Sequence, residues 1–219
     1  MSKHEKTGTR MSREQRRAQL IDVALDVFAE HGYAQTTMDE IAGQADVSKP
    51  VLYQHFHNKR DLYFTLIDYQ FHTLRTSVMS RMKSVDPTAE TADEQVAYQA
   101  VYGVFEFTSA PRGHYRLILD TSMENPEELE QRKERFLDEL VDFISPYILD
   151  NSILDAASAR FITGGIASAV MHLACRWAAE SHDQSPNSHT ISLDAAVENT
   201  YRFVAHGAIG FDLSNNPSA

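Results

Sequence analysis

Between Arg13 and Glu30 apolar residues recur at Leu20, Ile21, Ala24, Val27 and Phe28, the three-and-four spacing of a helix with one buried face, and Gly32 stands where a C-terminal cap belongs. Thr37 followed three residues later by Glu40 reads as a reciprocal capping box opening a short helix whose buried face is Ile41, Ala42 and Ala45. Ala45-Asp46-Val47 makes a turn. Ser48 then reads as the side-chain N-cap of a second short helix reaching Phe56, with Pro50 in its first turn, where no intrahelical donor is lost. Asn58 caps a long fourth helix over 59–83, with Leu62, Leu66, Tyr69 and Thr73 on one stripe.

Past the interruption at Ser84 to Glu90, helical patterns cover 91–108, 114–123, 126–149, 155–181 and 192–209. They are separated by Pro111-Arg112-Gly113, Asn125-Pro126, Asn151-Ser152 and a polar loop from Ser181 to Thr190. Strand-like alternation and internal repeats are absent, so the chain is predicted to be all-α with about nine helices. The expected organisation is a flexible basic arm over 1–12, a helix-turn-helix unit over 13–58, a ligand-binding and dimerisation unit over 59–210, and a tail over 211–219.

In the second short helix, Val47, Leu52 and Phe56 turn inward, which leaves Lys49, Pro50, Val51, Tyr53, Gln54 and His55 at or near the surface. Those types suit a duplex. Lys49 can donate to guanine O6 or N7, Val51 can meet a thymine methyl, and Gln54 can pair with adenine. Tyr53, His55 and Lys59 suit phosphate oxygens, which fix register without reading sequence. The full candidate DNA-contacting set is Arg13, Thr37, Ser48, Lys49, Pro50, Val51, Tyr53, Gln54, His55 and Lys59.

A net charge of −11 argues against a nucleic-acid partner until its distribution is considered. Residues 1–60 carry nine Lys and Arg against eight Asp and Glu, whereas the remainder carries eleven against twenty-three. The first 21 residues alone hold six basic side chains against two acidic ones, among them Arg10, Arg13, Arg16 and Arg17. Such an arm can neutralise phosphates while the acidic body repels non-specific DNA. The only cysteine, Cys175, excludes an intrachain disulfide and reads as a buried inert thiol. With no signal-peptide pattern at the start and no apolar run long enough to span a bilayer, a soluble cytoplasmic protein is expected.

The run Leu-Asp-Val-Phe-Ala-Glu-His-Gly-Tyr, then Thr-Thr-Met-Asp-Glu-Ile-Ala, Val-Ser-Lys-Pro-Val-Leu-Tyr-Gln-His-Phe and Asn-Lys-Arg-Asp-Leu resembles the DNA-binding domain of TetR-type transcriptional regulators across residues 13–62. Pro50-Val51 stands where many members have Gly-Thr, which favours a methyl contact over a polar one at position 51. A narrower resemblance is to actinobacterial FasR-type regulators of fatty-acid synthesis. It rests on Met38 to Ala42, Val47 to Phe56, Tyr115-Arg116-Leu117-Ile118 after Gly113, the Cys175-Arg176-Trp177 region, and Asp194 to Glu198.

That resemblance implies an apolar channel for a long acyl chain carried on coenzyme A, with no other cofactor and no metal. The candidate lining is Val101, Tyr102, Phe105, Tyr115, Leu119, Met123, Phe136 and Leu140, with Arg112 and Arg116 toward the phosphates. The same aromatic residues equally serve a helical core, and the arginines can instead pair with Asp120 or Glu124. A different effector, such as a drug, an antibiotic intermediate or a free fatty acid, fits the DNA-binding motif equally well.

Small residues such as Gly164-Gly165-Ile166-Ala167-Ser168-Ala169, with Ala195 and Ala208, allow the last two long helices to meet their copies in a four-helix bundle. A two-fold homodimer would bind a symmetric operator in double-stranded DNA, its recognition helices about 34 Å apart. Ligand that shifts the fourth helix changes that distance and lowers DNA affinity. Whether the bound protein represses or activates depends on operator position. Ten histidines raise the alternative of a di-iron enzyme, but none has a glutamate three residues before it, as such bundles require.

Overall fold

The computed structural model describes residues 11–110, 112–120, 127–149, 154–181 and 191–209. Among them are nine helices and no strand: α1 (Arg13–Gln35), α2 (Met38–Gln44), α3 (Lys49–His55), α4 (Lys59–Lys83), α5 (Ala92–Thr108), α6 (Arg116–Leu119), α7 (Glu127–Leu149), α8 (Ala156–Ser181) and α9 (Leu193–Ile209). All but the last two residues of the expected arm, and the whole tail over 211–219, lie outside the described residues.

α1 opens on a capping box at Ser12: its hydroxyl accepts from the Gln15 amide (3.1 Å) while the Gln15 side chain accepts from the Ser12 amide (2.9 Å). At Gly32 the backbone enters the left-handed region (φ 71°), so α1 kinks there before a last turn that ends at Thr36. α4 begins at Asn58, whose side chain accepts from the Asp61 amide (2.8 Å), while the Asp61 carboxylate accepts from the His57 amide (2.8 Å).

α4 runs from the N-terminal helices into the rest of the molecule, and its buried side chains include Leu62, Leu66, Gln70, Leu74, Val78 and Met82. The expected stripe through Tyr69 and Thr73 is displaced: both are exposed. Steps of four carry the buried face from Leu66 to Gln70 and Leu74, because α5 packs along that side. The approach is closest at Gly103, where a Cβ would sit 2.6 Å from Val78 Cα, and the Ser77 hydroxyl donates to the Gly103 carbonyl (2.9 Å).

The predicted helix over 114–123 is much shorter. Gly113 turns in the left-handed region (φ 64°), and the amides of Arg116, Leu117 and Ile118 bond to carbonyls three residues back. The backbone is extended by Asp120, and 121–126 lie outside the described residues. α8 and α9 pack on α5, with Phe105 against Trp177 (5.7 Å between rings) and Tyr98 against Tyr201 (5.4 Å), and α7 packs on α8 and α4. Cys175 is buried and its thiol is pushed up to about 11 by burial, which leaves it protonated and unreactive at neutral pH.

Candidate nucleic-acid interface

The turn between α2 and α3 is fixed by two bonds, from the Val47 amide to the Ala42 carbonyl (3.0 Å) and from the Asp46 amide to the Gly43 carbonyl (3.2 Å). This is the Schellman pattern, with Asp46 as its left-handed residue (φ 52°) in place of the usual glycine. Aspartate tolerates that region better than a branched side chain does. Gln19 of α1 donates to the Ala45 carbonyl (3.3 Å), which ties the turn to the helix behind it. Ile41, Ala42, Leu52 and Phe56 are buried against Leu20, Ala24 and Phe28 in a single core cluster. The packing therefore decides which face of α3 remains outside.

That outer face carries Lys49, Pro50, Tyr53 and Gln54 as exposed residues, with Val51 and His55 half-buried at its edges. The inward positions Leu52 and Phe56 are fully covered, and Val47 is half-buried. Ser48 departs from expectation. Its backbone is the N-cap, with a carbonyl that accepts from Val51 (2.9 Å) and Leu52 (3.3 Å), but its hydroxyl makes no capping bond. The residue at the second helical position is Pro50, which has no N–H to give, and the Val51 amide is already taken by the Ser48 carbonyl. The hydroxyl is left for other partners.

Only half of the box expected at Thr37 forms. The Thr37 hydroxyl accepts from the Glu40 amide (3.2 Å), but the Glu40 carboxylate lies 3.2 Å from His31 Nε2 instead of turning back. Lys59 also differs. Its ammonium donates to the carbonyls of Tyr33 (2.8 Å) and Thr36 (2.9 Å) and lies 4.3 Å from the centre of the Tyr33 ring. That geometry satisfies carbonyls at the end of α1 and turns the charge away from the expected phosphate role.

The missing basic surface comes from α1. Arg13 and Arg17 are exposed and Arg16 is half-buried, and the Arg17 guanidinium lies 4.9 Å from the Phe56 ring. Burial first, then the charges of Arg13, Arg17 and Arg16, lower the His55 pKa, so its imidazole is neutral at physiological pH. Arg16 and Arg17 are within the basic run legible in sequence, but their place beside the end of α3 is a tertiary fact.

On the other side, the expected ligand residues do not gather at one cavity. Val101 and Phe105 are buried in the α5 core, while the Tyr102 hydroxyl donates to Asp194 (3.2 Å) with the Arg81 guanidinium 4.0 Å from the ring centre. Arg116 and Leu119 are exposed, Leu140 is half-buried, and Met123 lies outside the described residues. Tyr115 is buried with no hydrogen-bond partner for its hydroxyl among the described residues, as is Gln99 Oε1 on α5. Phe136 stacks on Phe71 (4.5 Å between rings) beside a groove of about 280 Å³ between α4 and α7, whose other walls include Asp68, Arg75, Arg132 and Arg135.

Arg112 does not pair within its own segment. It forms an ion pair with Asp26 of α1, and His114 Nε2 lies 2.8 Å from the other oxygen of the same carboxylate. In return, Asp120 accepts from the Tyr33 amide (2.8 Å) and from the Tyr63 hydroxyl (3.4 Å), which also reaches the Leu117 carbonyl (3.1 Å). Burial and the nearby Asp120 charge push the Tyr63 pKa far up, so the phenol remains a donor. Two carboxylates thus clasp the α5–α6 region to α1 and the start of α4.

Residues 20–66 match the family model described as bacterial regulatory proteins, tetR family. The chain is 32% identical over 200 residues to the HTH-type transcriptional activator FasR of Mycolicibacterium smegmatis, covering 91% of this chain and 86% of that protein. It is 26% identical over 148 residues to the fatty acid metabolism regulator protein of Bacillus subtilis, covering 68% and 71%. Among solved structures, a TetR-like transcriptional regulator from Rhodococcus sp. RHA1 superposes with a TM-score of 0.72 at 22% identity over 92% of this chain and all of that one. The transcriptional regulator FadR from Bacillus subtilis in complex with stearoyl-CoA gives 0.68 at 19% identity, covering 87% and 98%. These relatives are transcriptional regulators and not enzymes. With a helix-turn-helix presented outward and that level of identity to FasR over nine-tenths of its length, the chain belongs to the TetR family of bacterial regulatory proteins.

Proposed function

We propose that this protein is a cytoplasmic, ligand-responsive regulator of fatty-acid synthesis genes that binds a two-fold-symmetric operator as a homodimer and takes a long-chain acyl-CoA as its effector. The observation that carries the DNA-binding part is the outer face of α3, on which Lys49, Pro50, Tyr53 and Gln54 stand clear of the core. Support for the pathway comes from the relatives named above, one a FasR and one a fatty acid metabolism regulator, and from the like fold of a regulator holding stearoyl-CoA. The 13–58 and 59–210 division stands as part of this proposal, with α4 as the rod between the two units.

Base reading is assigned to Lys49, Val51 and Gln54, and phosphate anchoring to Tyr53, His55, Arg13 and the neighbouring arginines of α1. Dimerisation is assigned to the outer face of α8 and α9, where Phe161 is 80% and Phe203 65% exposed beside Gly165 and Ser168. Large apolar side chains so open to water support a surface that a second copy covers.

The effector acts only through a difference in affinity for two arrangements of the dimer. A buried Tyr115 hydroxyl and a buried Gln99 carbonyl oxygen, each without a partner among the described residues, are polar groups that a ligand between the helices would satisfy. Titration of palmitoyl-CoA and stearoyl-CoA into the protein bound to operator DNA is expected to release the duplex at substoichiometric to equimolar ligand per protomer, with free coenzyme A inert. Unchanged DNA affinity throughout would remove acyl-CoA, and mass spectrometry of co-purifying compounds would then name the effector.

A further inference from the structure

The first helical residue of α3 is not a free cation. Lys49 Nζ lies 2.6 Å from Asp39 Oδ2 in the first turn of α2, and both side chains are about 60% exposed, so the pair bridges the surface of the helix-turn-helix. Among the described residues, Arg13, Arg16 and Arg17 form no ion pair with a carboxylate. Arg16 donates to the Gln19 side chain (2.7 Å) and Arg17 lies over the Phe56 ring, but neither of these cations, nor Arg13, is held by a carboxylate among the described residues, whereas the lysine placed for base reading is.

We propose that Asp39 is a specificity-determining residue, which keeps the Lys49 charge from contributing to binding of arbitrary DNA. The proposal rests on the DNA-binding reading above. Non-specific affinity comes from cations that neutralise phosphates and release counterions. A lysine already paired with a carboxylate gives little of that gain.

A base edge is different. Lys49 has three ammonium donors, so it can keep one on Asp39 and direct the others to guanine O6 and N7 in the major groove. The pair therefore need not break when the selected sequence is bound. Absolute affinity falls while the ratio between the right sequence and all others rises, and that ratio is what matters among many competing sites.

The test uses the full chain. A duplex is selected from a random pool by the wild-type protein, and its affinity is compared with that of a scrambled duplex over a salt series. The variants are Asp39→Asn, Lys49→Met and the double substitution. Asp39→Asn is expected to tighten binding to the scrambled duplex by about two- to fivefold, the worth of one exposed ion pair. It should steepen the salt dependence there by about one phosphate contact, and improve the selected duplex less. In the Lys49→Met background both changes should vanish.

The proposal is overturned if Asp39→Asn weakens the selected duplex alone, since the carboxylate would then be reading a base such as cytosine directly. It is equally overturned if the effect persists without Lys49, or if both duplexes weaken together with a lower melting temperature. A wild-type protein that enriches no sequence and binds without salt dependence would defeat the DNA-binding reading itself, an outcome distinct from these.

Discussion

The ammonium of Lys59 reaches back to the carbonyls of Tyr33 and Thr36, where α1 has run out of its own donors. From the sequence the residue is a cation next to a DNA-reading helix, and phosphate contact is the natural expectation. Which of two acceptors it meets depends on the position of the end of α1, distant in the chain, and local pattern holds no record of that. Lys59→Met retains the stem over the Tyr33 ring but leaves those carbonyls without their donor. It is expected to lower stability by about 1–3 kcal/mol, measured by urea unfolding, while the salt dependence of DNA binding stays at the wild-type slope. A slope reduced by one phosphate contact with unchanged stability would restore the phosphate role. Ser48 and Glu40 show the same limit on a smaller scale: the residue type marks a helix start correctly, but Pro50 and His31 decide what the side chain does.

At the scale of elements, helix positions were legible because amphipathic spacing, Asn58, Pro87 and the Asn/Pro breaks are local signals. α4 matches its predicted bounds, and α5, α7, α8 and α9 each match to within one residue. The failures have a common cause. The stripe on α4 and the length of α6 depend on what packs beside them, and both respond to α5 and the turn after it. Gly103 belongs here too: an interior helical glycine costs about 1 kcal/mol relative to alanine, a signal that something must come close. Gly103→Ala would place a methyl 2.6 Å from Val78 Cα, a backbone atom that cannot turn aside. The expected loss is about 1–3 kcal/mol or more, read as a lower thermal midpoint with helical content retained. An unchanged midpoint would mean that the two helices separate without cost.

Across the whole molecule, a pair of reciprocal carboxylate clasps joins the α5–α6 region to the N-terminal helices, Asp26 of α1 onto Arg112 and His114, and Asp120 onto Tyr33 of α1 and Tyr63 of α4. A bond network of this kind is a physical route by which motion among the C-terminal helices can tilt the DNA-reading unit. Asp26→Asn keeps the shape of the side chain and removes its charge. It is expected to leave operator affinity and ligand binding near their wild-type values, and to reduce the factor by which acyl-CoA changes operator affinity by about three- to tenfold, a coupling loss of ordinary size. Fluorescence anisotropy of labelled operator at several ligand concentrations measures that factor. If it is unchanged, coupling runs through α4 alone.

The chain by itself determined that the protein is a bundle of helices, where nearly all of them start and stop, and that the stretch from Ser48 to Phe56 turns polar side chains outward. Periodicity, capping and turn chemistry act over a few residues, and so each is written where it acts. Only the tertiary structure decided which cations are open and which are held: Lys49 by Asp39, Lys59 by the end of α1, Arg112 by Asp26. Charges reach across space at distances that chain separation does not report. For that reason the candidate effector residues, inferred from resemblance, are dispersed between core, surface and the clasp, whereas those candidate DNA-contacting residues that lie on α3 stay together because they share one short helix.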